Sequence, residues 1–153
     1  MNQEVVSIAF EYSYLHDDWV TPLSEALEGV SVEEALRKVG ETSIWMIVLH
    51  LAVWNENIVE RIETGEKTHP TEGAWPALPA VQDEAAWETA KRRLWDSLEL
   101  VKGLIEHTPI ETIDSRAYGL GDLFCRFNHM AYHVGQITKM REVFSGQYVL
   151  DSV

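Results

Sequence analysis

Apolar residues recur at intervals of three and four over several stretches of the chain, and no stretch alternates apolar and polar residues with a period of two, so the pattern predicts amphipathic helices and no extended sheet. The first stripe, Val5, Ile8, Ala9, Tyr12, Leu15, Trp19, Leu23 and Ala26, predicts a helix from about residue 3 to 28. Pro22 lies inside it, so the helix either kinks there or restarts with Thr21 as cap and proline in the first turn. Ser31 with Glu34 forms a capping-box pattern for a short helical piece through about Lys38, which Gly40 ends. Thr42 or Ser43 can cap the second long helix, whose stripe Ile44, Ile47, Leu51, Trp54, Ile58 and Ile62 runs to a stop at Gly65.

The next fifteen residues contain Pro70, Gly73, Pro76 and Pro79 and predict a long crossing loop. Asp83 and Glu84 open a third long helix, with Trp87, Ala90, Leu94, Leu98, Val101 and Ile105 on its apolar face and His107-Thr108-Pro109 at its close. Gly119 and Gly121 precede a fourth, striped by Leu123, Phe127, Met130, Val134 and Ile137 ahead of Gly146. The expected architecture is all-α, a four-helix bundle with a long connection between its second and third helices. At 153 residues the chain is expected to form a single domain spanning 1–153.

Composition narrows the function classes. Twenty-five acidic against twelve basic side chains give a net charge of −13, which repels phosphate backbones and anionic lipid surfaces, so neither nucleic acid nor membrane is an expected partner. No apolar run approaches the roughly 18 residues needed to cross a bilayer. The start, MNQEVVSIAFEY, does not read as a secretory signal, and the single Cys125 agrees with a reducing compartment; a cytoplasmic location is expected.

The candidate chemistry lies in histidine. His129 and His133 are four residues apart in NHMAYHVGQITKMREVF, so on a helix both imidazoles project from one face a turn apart, a spacing at which two nitrogens can hold one metal ion. His50 is the only histidine in the apolar stretch SIWMIVLHLAVW, between Leu49 and Leu51. Polar edges run beside both apolar stripes: Cys125, His129, His133 and Gln136 on the fourth helix, and His50, Trp54 and Asn57 on the second. Facing each other, they would set three imidazoles around one open-mouthed pocket. Neutral imidazole suits zinc, nickel, iron and copper, and three protein ligands leave a position for water or substrate, the layout of a catalytic site.

These residues resemble a known family. His129-Met130-Ala131-Tyr132-His133-Val134-Gly135-Gln136-Ile137, with Arg141 beyond, is similar to the closing-helix motif HxxYHxGQI…R of DinB/YfiT-like proteins, and Ser43-Ile44 ahead of His50, Leu51 and Trp54 resembles their second helix. The resemblance extends over nearly the whole chain. It implies an up-up-down-down type bundle, a divalent transition metal (zinc, nickel, iron or manganese) held by His50, His129 and His133, and a homodimer. It also implies a relation to metal-dependent S-transferases that act on small molecules with a low-molecular-weight thiol. The absence of HExxH and of a carboxylate in the histidine stripe favours thiol transfer over a metal-dependent hydrolase, which needs a general base. The competing class is a non-catalytic, dimeric stress protein that binds a metal or small ligand.

The remaining candidates have plainer readings beside the functional ones. Gln136 could fix the tautomer of a ligand imidazole, and Tyr132 could orient substrate or fill an interface. Trp19 and Trp54 could line the pocket, although aromatic residues at helical spacing are usually core. Gly135, costly inside a helix, implies a close approach by the first helix or a partner chain. Cys125 reads as a small buried hydrophobe rather than a fourth ligand. His16 reads as a core or rim residue, and His69 and His107 as structural or solvated.

Overall fold

The computed structural model describes residues 2–16, 19–116 and 119–146, and among them helices dominate. In chain order they are α1 (Gln3–Tyr12), α2 (Leu23–Ala26), α3 (Val32–Leu36), α4 (Ile44–Thr64), α5 (Glu84–His107), α6 (Ile110–Ser115) and α7 (Gly119–Phe144). The strands β1 (Lys38–Val39) and β2 (Thr42–Ser43) pair antiparallel, Lys38 opposite Ser43 and Val39 opposite Thr42.

Capping chemistry sets the ends of the long helices. The Ser43 hydroxyl accepts from the Met46 amide at 3.3 Å to open α4, and Gly65, with φ of 76°, closes it in the left-handed conformation that glycine adopts without strain. Asp83 accepts from the Ala86 amide at 2.9 Å and opens α5, which ends at Thr108 ahead of Pro109. Both helices have the bounds expected from sequence.

The first helix departs from expectation. In place of one helix over about 3–28, α1 stops at Tyr12 and Pro22 itself stands at the start of the one-turn α2; Asp17 and Asp18, within the expected span, lie outside the described residues. Ser13 turns the chain, its hydroxyl donating to the Phe10 carbonyl at 2.6 Å, and the Ser24 amide donates back to the Tyr14 carbonyl at 3.2 Å. The buried face of α1 is also not the stripe expected: Val6, Phe10 and Tyr14 enter the core, whereas Val5, Ile8, Tyr12 and Leu15 are each roughly half exposed. Two apolar stripes run along this segment, and contact with α5 selected the other. The short α6 and the β1–β2 hairpin also lie outside the expected elements; each is too brief to establish a period.

Helix α4 is the centre of the molecule, packed against α5, α7 and α3. Trp45 on α4 meets Trp87 on α5 with ring centroids 5.2 Å apart, and the Trp87 indole donates to the Val30 carbonyl at 3.0 Å. Helix α1 leans on α5, and α2 and α6 on α7. The loop between α4 and α5 is tied down on both sides. Arg93 of α5 grips Glu56 of α4 through two hydrogen bonds of 2.8 and 2.7 Å and also binds Glu72 of the loop. The Arg61 Nε donates to the Thr68 carbonyl at 2.7 Å. The loop is therefore held close to α4, where His50 lies.

Candidate metal centre

Helix α4 carries His50 into the interior, where it is 5% exposed; α7 presents His133, 4% exposed, and the half-buried His129 one turn earlier. The His50 and His129 Nε2 atoms are 2.9 Å apart, and those of His133 and His129 3.0 Å. One nitrogen from each ring falls within 4.8 Å of the other two. The three residues singled out in the sequence thus meet at one point, and neither a carboxylate nor Cys125 belongs to the group among the described residues.

Hydrogen bonds on the far side of two rings determine what faces that point. His50 Nδ1 lies 2.5 Å from the Ala74 carbonyl, which only accepts, so Nδ1 carries the hydrogen and Nε2 bears a lone pair. His133 Nδ1 lies 2.7 Å from Gln136 Oε1, which accepts from it, and the Gln136 amide nitrogen donates to the Tyr132 hydroxyl at 3.0 Å. His133 Nε2 therefore also bears a lone pair. Both lone pairs are directed at His129 Nε2, where a single hydrogen serves at most one fully. A cation at the centre accepts electron density from all three nitrogens, so the donor set fits a metal. Tetrahedral zinc with Zn–N of about 2.0–2.1 Å needs its nitrogens about 3.3 Å apart, a few tenths of an ångström more than observed.

Burial favours the neutral, ligating form. It lowers the His129 pKa to about 3, helped by His133, Arg126 and His50, and lowers that of His133 to about 4, with His50 adding to the effect and the Gln136 hydrogen bond opposing it. His50 is also held below the ordinary histidine value by burial, against the Ala74 hydrogen bond.

Further residues complete the surroundings, among them Trp54, which the sequence had offered as a pocket wall. Trp75 stacks on His50 with centroids 3.9 Å apart and planes 16° from parallel. Trp54 meets the same ring edge-on at 6.4 Å and carries the Arg126 guanidinium 4.6 Å from its own centroid. Nearby, Arg61 and Asp122 form a buried ion pair of 2.8 Å between α4 and α7. Ala74 and Trp75 belong to a loop without periodicity and gave no local signal. Arg126 did have one: it precedes His129 by three residues and so shares its side of the helix.

Several expectations need correction. Cys125 is exposed rather than buried, because the edge of α7 beside the histidines faces outward at that turn. Trp19 is 94% exposed and lines no part of the site. A methyl group built on Gly135 would meet nothing within 4 Å, so among the described residues nothing approaches it closely. Arg141, the last residue of the quoted motif, lies away from the imidazoles and secures α7 to the preceding short helices, donating to Glu34 at 3.1 Å and to the Ala26 carbonyl at 3.0 Å. A cavity of about 620 Å³ beside it, lined by Glu25, Thr138 and Phe144, brings together no set of metal-ligating groups. His16 is exposed with Glu11 at 3.8 Å, His107 bonds the Gly103 carbonyl at 2.9 Å, and His69 meets the edge of Trp54.

The profile of the DinB superfamily matches residues 17–137, a span that contains all three clustered histidines. No curated protein and no solved structure matches the chain. With a helical fold, a family profile covering well over half its length and three imidazoles meeting between α4 and α7, the chain belongs to the DinB superfamily.

Proposed function

We propose that His50, His129 and His133 bind one divalent transition metal (zinc, nickel, iron or manganese) and that the site transfers a low-molecular-weight thiol to a small electrophile. The observation that carries the metal reading is the pair of lone pairs, fixed by Ala74 and Gln136, that converge on His129. A metal with an open coordination position supplies Lewis acidity, which lowers the pKa of a thiol or water. The chain's own part is to hold His50 through Ala74, to orient His133 through Gln136 and Tyr132, and to shield one wall of the site with Trp75 and Trp54. Among the described residues no carboxylate belongs to the cluster to serve as general base, which supports thiol transfer over hydrolysis.

A second reading, a dimeric protein that binds a metal or small ligand without catalysis, draws support from the Trp75 indole stacked over His50, which restricts access from that side. The two are separated by incubating metal-loaded protein with a panel of thiols and chlorodinitrobenzene. Thiol transfer forms a carbon–sulfur bond and releases chloride and a proton. Metal-dependent turnover that His129→Ala abolishes supports the transferase; no turnover with any thiol leaves the binding protein.

The described helices include none long and apolar enough to cross a membrane. We further propose a cytoplasmic, single-domain protein over residues 1–153 that pairs with a second copy through the outward apolar face of α1.

A further inference from the structure

Beside the imidazole cluster and the Arg61–Asp122 pair lies the Arg126 guanidinium, one nitrogen of which is unpartnered among the described residues. Arg61 and Arg126 both lie near the Asp122 carboxylate, whose Oδ2 already accepts from Arg61 at 2.8 Å. Arg61 is further satisfied by the Thr68 carbonyl. Arg126 instead rests its guanidinium on Trp54, 4.6 Å from the ring centroid, and its NH1 nitrogen is buried with no hydrogen-bond partner. A buried charged donor without a partner is among the least favourable arrangements in a folded protein, and arginine does not escape it by losing its proton. Burial pushes the Arg126 pKa down while Asp122 holds it up, and the same guanidinium lowers the pKa of both His50 and His129, so its field reaches the cluster.

We infer that Arg126 is a substrate-binding residue, its unpartnered NH1 edge taking the carboxylate of a small molecule whose reacting group lies at the three imidazoles. The planar donor edge of a guanidinium matches the planar carboxylate. Trp54 supplies the wall that keeps the guanidinium in place, and the same indole borders His50, so anion and reacting group lie along one surface. This inference rests on the metal reading for the position of the reacting group, but the anion contact itself does not.

Two measurements separate the parts. In metal-free protein, the Arg126 Nε–Hε cross-peak in nitrogen-edited NMR, identified by its absence from Arg126→Lys, is expected to shift on titration with propionate and not with propionamide. In cobalt(II)-loaded protein, followed by sulfur-to-cobalt charge-transfer absorption, 3-mercaptopropionate is expected to bind about tenfold or more tightly than 2-mercaptoethanol. Arg126→Gln is expected to bring the two thiols within about twofold of each other, and Arg126→Lys to keep part of the preference. A cross-peak that ignores propionate overturns the inference, as does a preference that survives in Arg126→Gln. Should Arg126→Gln fail to fold, the propionate titration of the unsubstituted protein decides. Should cobalt not bind, the metal reading falls while that titration still tests Arg126.

Discussion

Gln136 shows how one uncharged side chain controls the donor set. Its Oε1 holds the hydrogen on His133 Nδ1 and so keeps the Nε2 lone pair turned inward, while its amide nitrogen donates to the Tyr132 hydroxyl. Gln136→Ala removes that control without touching a proposed ligand. Metal affinity, measured by competition with a chromophoric chelator, is expected to fall by about 10- to 100-fold. The histidines also imply a pH dependence. Folded pKa values of about 4 for His133 and about 3 for His129 lie below the ordinary 6.5, so the unfolded chain binds more protons across that interval. Stability of the metal-free protein is therefore complete above pH 6.5 and declines as pH falls toward 4 and 3. The midpoint of thermal unfolding in chelator-treated protein is expected to drop between pH 7 and 5, where most carboxylates stay ionised, and to drop less in His129→Gln. For the metal-loaded protein, proton competition likewise moves below the usual histidine range.

Along α7, two glycines that look alike in sequence have opposite consequences. Gly135 stands in helical backbone with open space around it, so Gly135→Ala is expected to stabilise by about 0.5–1 kcal/mol, raising the melting midpoint by about 1–4 °C. Gly119 has φ of 61°, and a methyl group there would lie 2.5 Å from the Asp114 carbonyl oxygen. Gly119→Ala is expected to destabilise by about 1–3 kcal/mol, read by denaturant unfolding. The elements were legible in the sequence where a long apolar period ended in a specific cap, as α4 does between Ser43 and Gly65 and α5 behind Asp83. They were not legible where two stripes competed, as on α1, or where an element lasts only a few residues, as in α6 and the hairpin. The same division runs through the site. His50, His129 and His133 were readable because imidazoles beside apolar stripes are locally anomalous, whereas Ala74 contributes a backbone carbonyl, which no side-chain pattern encodes.

At the scale of the whole molecule, the misread face of α1 becomes informative. Val5, Ile8, Tyr12 and Leu15 form an apolar strip on the outside of the fold, a feature that a second copy related by a two-fold axis would cover. Sedimentation at micromolar concentration is expected to give twice the 17.5 kDa chain mass, and Ile8→Asp to return the chain to a monomer with its helical circular dichroism retained. The connection between α4 and α5 has a different global meaning. It contributes the carbonyl of Ala74, and that carbonyl keeps the His50 hydrogen on Nδ1. Were the connection to swing away, the ring would be free to move its hydrogen to Nε2 and would cease to be a donor toward the centre. Opening the loop would thus remove a ligand as well as a wall, so the fraction of molecules with the loop closed sets a ceiling on the apparent affinity of the site. A change anywhere between Thr68 and Ala74 that favours the open form would weaken binding without altering any of the three histidines.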